Sequence, residues 1–128
     1  LRAVMEGVAC SQRDCLEIIQ AMGVRFEEML VTGGGGASPL WRQMLADLYR
    51  LPVVTVQNRE GPALGAALLA GVGSGVYSSV EAACARVVCT NAPQEPIEKN
   101  AEQYEKYFTL YRQLYRALEK PFEILASL

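Results

Sequence analysis

The sequence predicts an α/β fold in which two buried parallel strands are joined through a helix and followed by a mostly helical tail. Three observations carry this. Glu28 to Thr32 and Val53 to Val56 are short apolar runs, the second entirely β-branched, as in strands buried on both faces. Between them, Ser38-Pro39 has the signature of a helix start: serine caps the free N–H groups of the first turn, and proline is tolerated at its first position. From Ile97 onward, aromatic and apolar residues recur at intervals of three and four. A strand, a helix and a second buried strand form a right-handed crossover in a parallel sheet.

Taken in order, Leu1 to Met22 reads as a helix with Val4, Val8, Cys15, Ile18 and Ile19 near one apolar stripe, and Gly23 is its stop signal. The first strand ends abruptly in glycines. The helix after Ser38 offers Leu40, Met44, Leu45 and Leu48 as its apolar face, and Pro52 blocks its continuation into the second strand. Gly61-Pro62 opens a helix running from Ala63 to about Val72, closed by Gly73-Ser74-Gly75. Ser79 caps a short helix to about Val88, and Asn91 to Pro96 reads as a loop with two prolines. The last helix is expected to break or kink at Pro121. Two strands are too few for a sheet of their own. The rest of that sheet is therefore expected from sequence outside this chain or from a partner chain. A start at Leu1, already inside a helical pattern, points to the same expectation of a truncated piece.

Composition narrows the function classes. A hydrophobic fraction of 51% with 20% charged residues fits a globular domain. A net charge of −2 with interspersed signs leaves no electrostatic footprint for nucleic acid or an anionic membrane. No apolar run reaches the ~20 residues of a membrane span, and no signal peptide is evident at the N-terminus. Cys10, Cys15, Cys84 and Cys89 form no C-x-x-C pair and the chain has no histidine, so zinc spacing and histidine-assisted nucleophiles are absent. The cysteines read as free thiols of a reducing, cytoplasmic setting.

The informative segment is Val31-Thr32-Gly33-Gly34-Gly35-Gly36-Ala37-Ser38-Pro39. Glycines at a strand's carboxyl end, followed by a capped helix, form the place where open α/β sheets bind ligands. They let a ligand approach the backbone, and the helix start offers N–H groups to an anion. A tight turn needing positive φ would explain one or two glycines, and four exceed it. No Lys-Ser/Thr follows, so this is not a Walker loop, and the spacing does not fit G-x-G-x-x-G. Glu60-Gly61-Pro62-Ala63-Leu64-Gly65-Ala66-Ala67 is a second unusual segment, whose small side chains allow either close approach to another element or packing under its own sheet. Trp41 reads as core, with stacking on a base as the alternative. The tail tyrosines read as a packing stripe with hydroxyls at its rim, and Glu6, Asp14, Glu17 and Asp47 as solvated helix faces.

These segments resemble the C-terminal part of the FGGY carbohydrate kinases, and within them the xylulokinases. Arg2-Ala3-Val4-Met5-Glu6-Gly7-Val8-Ala9 is similar to that family's R-A-x-x-E-G-x-A helix. Val31 to Ser38 looks like its adenosine motif, although Gly36 and Ala37 stand where the usual form is G-G-G-A-x-S, and Ser38 to Asp47 is similar to the helix that follows it. Glu60 to Ala67 resembles the second connecting motif of actin-fold ATPases. Val76-Tyr77-Ser78-Ser79 and the tyrosines from Tyr104 to Tyr115 are similar to the xylulokinase tail.

The resemblance implies the C-terminal portion, residues 1–128, of the second lobe of an actin-like (ribonuclease-H-like) kinase, without its N-terminal lobe and the first strands of this one. It implies transfer of the ATP γ-phosphate to a sugar hydroxyl, with D-xylulose and xylose metabolism as the expected setting. The alternatives are another FGGY kinase (glycerol, ribulose or gluconate) or a non-catalytic actin-like nucleotide-binding lobe. A free-standing interaction module, binding through the tyrosine helix, is a third. Gly33, Gly34, Gly35 and Ser38 are the expected nucleotide-binding residues, with Gln43 as a base contact. No catalytic residue and no ligand for Mg2+ is expected here, because the family's aspartate base and main phosphate turns precede this segment. The sugar is expected on the missing lobe, the chain alone is expected to be inactive, and a homodimer is left open.

Overall fold

The computed structural model of the chain describes residues 1–57 and 61–128. The element order is α1 (Arg2–Ala21), β1 (Met29–Val31), a short 3-10 turn (Gly34–Ala37), α2 (Pro39–Tyr49), β2 (Val53–Thr55), α3 (Gly61–Gly73), α4 (Val80–Val87) and α5 (Glu98–Ala126). β1 and β2 are parallel, with Met29 opposite Val53 and Val31 opposite Thr55. The glycine turn and α2 form the crossover between them.

α2 is the centre of the molecule and touches α1, α5, β2 and the turn before it. Its start is set locally: the Ser38 Oγ accepts a hydrogen bond from the Trp41 N–H at 3.3 Å, and Pro39 occupies the first position. Its end is set by Arg50 in the left-handed region at φ 56°. The core joins Ala9 and Cys10 of α1, Met44, Leu45, Ala46 and Leu48 of α2, Val53 of β2, and Tyr104 and Phe108 of α5. Ala9 has no exposed surface, so a small residue lets α1 lie close against its neighbours. Phe108 is only 2% exposed, and truncating it would cost about 3–5 kcal/mol.

A charged seam closes α1 on α5. The Arg13 guanidinium lies 4.1 Å from the centre of the Phe108 ring and pairs with Glu17 at 3.1 Å and Glu105 at 2.7 Å. Arg112 reaches Glu17 at 3.0 Å and Asp14 at 3.4 Å. Near the helix start, Tyr104 donates to Glu6 and accepts from Arg2, each at 3.1 Å. Burial pushes the Tyr49 phenol up to about 12 and raises the Cys10 thiol and the Tyr104 phenol. All four cysteines are free thiols. Among the described residues no helix is long and apolar enough to cross a membrane.

Four sequence expectations need correction. The inward face of α1 is Ala9, Cys10, Arg13 and Leu16, whereas Val4, Val8, Cys15, Ile18 and Ile19 are exposed. The helix has two apolar faces, and the small Ala9 together with the Arg13 seam decides which one α2 and α5 cover. The four-residue face expected for α2 also loses a member, since Leu40 is about half exposed while Met44, Leu45 and Leu48 are buried. The segment read as a loop around Asn91 is zipped antiparallel along the free side of β2. Gln57 donates to the Cys89 carbonyl at 2.9 Å, Asn91 to Thr55 at 2.8 Å, and Val53 and Gln94 exchange bonds at 3.0 and 2.8 Å. Val53 faces Gln94 and Val56 faces Thr90, so residues 54 and 55 stand opposite residues 91 to 93, a bulge at the site of Pro93. Finally, α5 runs through Pro121 without a break. Its last turns are exposed, so water can satisfy the Ala117 carbonyl that lacks its usual donor.

Candidate functional site

The glycine run folds into one tight turn, and each glycine serves it differently. Gly33 takes φ 75° with ψ −170°, a conformation essentially confined to glycine. Gly36 is buried, and a Cβ there would lie 3.2 Å from the Val31 carbonyl oxygen. A Cβ on Gly35 would sit 3.3 Å from the Trp41 indole nitrogen. Gly34 has nothing within 4 Å of a Cβ and no positive φ, so the fold itself makes no demand for glycine at that position. The turn is held by Gly36 donating to the Gly33 carbonyl at 3.2 Å and Ser38 to Gly35 at 3.1 Å. Arg42, one turn into α2, reaches back and donates from Nη1 to the Gly36 carbonyl at 2.6 Å.

A cleft of about 270 Å³ opens where both parallel strands end. Val31, Thr32 and Gly33 line one side, Thr55, Val56 and Gln57 the other, with Gly36, Ala37, Arg42 and Asn91 completing it. The position follows from topology, since ligands of parallel sheets bind beyond the strands' carboxyl ends. Asn91 is fixed there by its Nδ2, which donates to Thr55 Oγ1 at 2.9 Å. Among the described residues the lining supplies hydroxyl, amide and guanidinium groups and no carboxylate. It is suited to holding a polar or anionic ligand, and none of its described side chains could serve as a general base. Among the described residues no group of three or more Cys, Asp or Glu could hold a metal ion.

The residues singled out from sequence fall in different places. Gly33 lines the cleft; Gly34 and Gly35 sit exposed on the turn beside it. Ser38 is engaged as the cap of α2. Gln43 is not part of the cleft lining: its Nε2 donates to Asp47 Oδ1 at 2.6 Å and to the Glu95 carbonyl at 3.1 Å, and its Oε1 accepts from Gln94 Nε2 at 2.5 Å. Trp41 is half-buried against the core, beside Gly35. Asp47 departs most from its reading as a solvated residue. It is 2% exposed and accepts from Gln43, from the Ile97 amide at 2.7 Å and from Asn100 at 2.8 Å, anchoring the start of α5. Its spacing of four from Gln43 on one helix face was the signal in the sequence.

The small-residue segment is only partly visible, because Glu60 lies outside the described residues. In α3, Gly71 is the glycine that packing requires: a Cβ would meet the Tyr77 ring at 2.8 Å. Gly61 and Gly65 face open space, and Leu68 is the buried residue of this almost wholly apolar helix. The tail tyrosines divide, with Tyr104 buried and Tyr107 and Tyr115 exposed.

Comparison with known proteins agrees with this geometry. Residues 1–74 match the FGGY family of carbohydrate kinases, C-terminal domain. The chain is 35% identical over 115 residues to the xylulose kinase of Bacillus subtilis, covering 90% of this chain and 23% of the relative. It is 36% identical over 115 residues to the ribulokinase of Mycolicibacterium smegmatis, covering 89% and 20%. The crystal structure of ligand-bound xylulose kinase from Lactobacillus acidophilus superposes with a TM-score of 0.85 at 26% identity, over 92% of this chain and 24% of that one. The chain thus spans about a quarter of the length of the relatives it matches. Its two parallel strands and flanking helices are the actin-like fold of these kinases. The glycine turn, the cleft beyond the strands and the family match therefore converge, and this chain belongs to the FGGY family of carbohydrate kinases.

Proposed function

We propose that this chain forms the adenosine side of the nucleotide cleft in a carbohydrate kinase, as the C-terminal portion of its second lobe. The parent enzyme would transfer the γ-phosphate of ATP to a sugar hydroxyl in a cytoplasmic setting. D-xylulose is the proposed sugar, because xylulose kinases recur among both the sequence relatives and the solved structures. Relatives named for ribulose, erythritol and autoinducer-2 keep the choice of sugar open to test.

The observation that carries the nucleotide reading is Gly34. It is exposed at the mouth of a turn whose other glycines are explained by backbone conformation or packing, and its own lack of a side chain is not. A glycine the fold does not need leaves room for a ligand to approach the main chain. On this reading Gly33, Gly34 and Gly35 offer backbone to ribose and phosphate, and Ser38 holds the helix start that faces them. The general base and the residues that would hold magnesium would belong to the rest of the enzyme, where the metal would offset the charge of the phosphates. This chain's own task is to bind and orient, and alone it would transfer no phosphate.

Titration of the protein with ADP by calorimetry tests this. Gly34→Val is expected to abolish saturable binding while leaving the unfolding midpoint near that of the parent, since the residue is exposed and an added Cβ meets no atom within 4 Å. Undiminished ADP binding by that variant would overturn the assignment. A panel of sugars with the full-length protein, scored by ADP release, decides the substrate; a clear preference for a sugar other than D-xylulose removes that part.

A further inference from the structure

The amide of Gln43 lies where three pieces of chain meet: α2, the start of α5, and the strand-like segment along β2. It donates to Asp47, whose carboxylate also receives the Ile97 amide and Asn100 of α5. It donates to the Glu95 carbonyl and accepts from the Gln94 side chain. Gln94 is the last residue zipped to β2, and three positions before it Asn91 forms a wall of the cleft. Between them lies the bulge at Pro93, which supplies no N–H to the ladder. The wall is held to β2 by the backbone bonds of Asn91 and Gln94, with none from Ala92 or Pro93 between them, and at its far end the Gln43 side chain adds the links to Gln94 and Glu95.

We propose that Gln43 is a positioning residue that sets the Asn91 wall of the cleft through Gln94 and Glu95, and so tunes nucleotide affinity without touching the nucleotide. The proposal rests on the reading of the cleft as a nucleotide site, and it gives Gln43 a role different from a base contact. Gln43→Leu keeps the side chain's bulk and removes all three hydrogen bonds. Gln94→Ala removes one of the two links to the wall and leaves the Glu95 bond and the Asp47 anchor in place.

The test measures amide hydrogen exchange at Asn91 and Gln94, whose N–H groups bond to Thr55 and Val53, together with ADP affinity, in the full-length protein. Both variants are expected to speed exchange at these two amides by about tenfold, as for a lost buried hydrogen bond, and to weaken ADP binding severalfold. Leu16→Ala, a core truncation in α1, serves as the control: it should lower the unfolding midpoint while leaving exchange at Asn91 and ADP affinity unchanged relative to Tyr104 and its neighbours. Unchanged exchange at Asn91 and Gln94 in both variants overturns the proposal, as does equal loss of ADP affinity in the control. If the unsubstituted protein binds no ADP, the nucleotide reading fails, while the exchange data still decide whether Gln43 places the wall.

Discussion

Two adjacent glycines provide a measurement in which only the backbone differs. At both Gly33 and Gly34 an added Cβ meets nothing within 4 Å, so alanine brings no clash at either position. Gly33 holds φ 75° with ψ −170°, where an L-residue is strained by about 1–3 kcal/mol. Gly34 lies in the 3-10 turn without a positive φ, so alanine there should stabilise by about 0.4–1 kcal/mol by restricting the unfolded chain. Gly33→Ala and Gly34→Ala should then differ by about 1.5–4 kcal/mol with opposite signs relative to the parent. For a chain of this size that is a separation of roughly 5–15 °C in unfolding midpoint. Urea unfolding followed by circular dichroism and by the fluorescence of Trp41, which sits beside the turn, gives both free energies. Equal stabilities within about 0.5 kcal/mol, or a less stable Gly34→Ala, would refute the assignment of these backbone roles.

Two further outcomes follow from the charged seam and the buried phenols. Arg13 is 9% exposed, and its Nη1 is buried without a hydrogen-bond partner, whereas Glu17 and Glu105 remain partly exposed. Arg13→Met should therefore unfold within about 1 kcal/mol of the parent, while Arg13→Ala, which also uncovers Phe108, should cost about 2–3 kcal/mol in urea unfolding. The Tyr49 phenol is pushed up to about 12 by burial, with its hydroxyl donating to Gln12 at 2.8 Å. A phenol whose folded value is raised contributes stability that is complete below its ordinary value near 10 and is lost as pH rises through 12. Absorbance titration should show Tyr49 ionising above the ordinary phenol range near 10, and Tyr49→Phe should flatten the fall in stability across that interval.

The parts legible from sequence were those written in local chemistry. Ser38-Pro39 and Ser79 mark helix starts because a hydroxyl and a fixed φ act within three residues, and both serines do cap. The β-branched run at Val53 and the glycines after Val31 placed the two strands and the cleft between their ends. What could not be read depends on contacts across the chain. The inward face of α1 is chosen by α2 and α5, whose residues lie far along the sequence. Asp47 looked like any exposed helix carboxylate, because its partners Ile97 and Asn100 stand 50 and 53 residues away. The segment around Asn91 looked like a loop because two prolines hide a pairing that uses only the bonds proline leaves available. Gln43 lies on the helix expected to follow the nucleotide turn, but its amide faces the packing on the other side.

The seam between α1 and α5 also has a consequence in time. Arg13 and Glu105 are separated by 92 residues, and Arg2 and Tyr104 by 102, so the core closes only when the last helix arrives. At ribosomal rates of about 5–20 residues per second, α1 waits roughly 5–20 s for its partner. During that interval Ala9, Cys10 and Leu16 have no α5 to cover them, and the exposed apolar face of α1 adds to the surface on view. The interval before α5 emerges, rather than the finished fold, is then when this segment has most apolar surface on view.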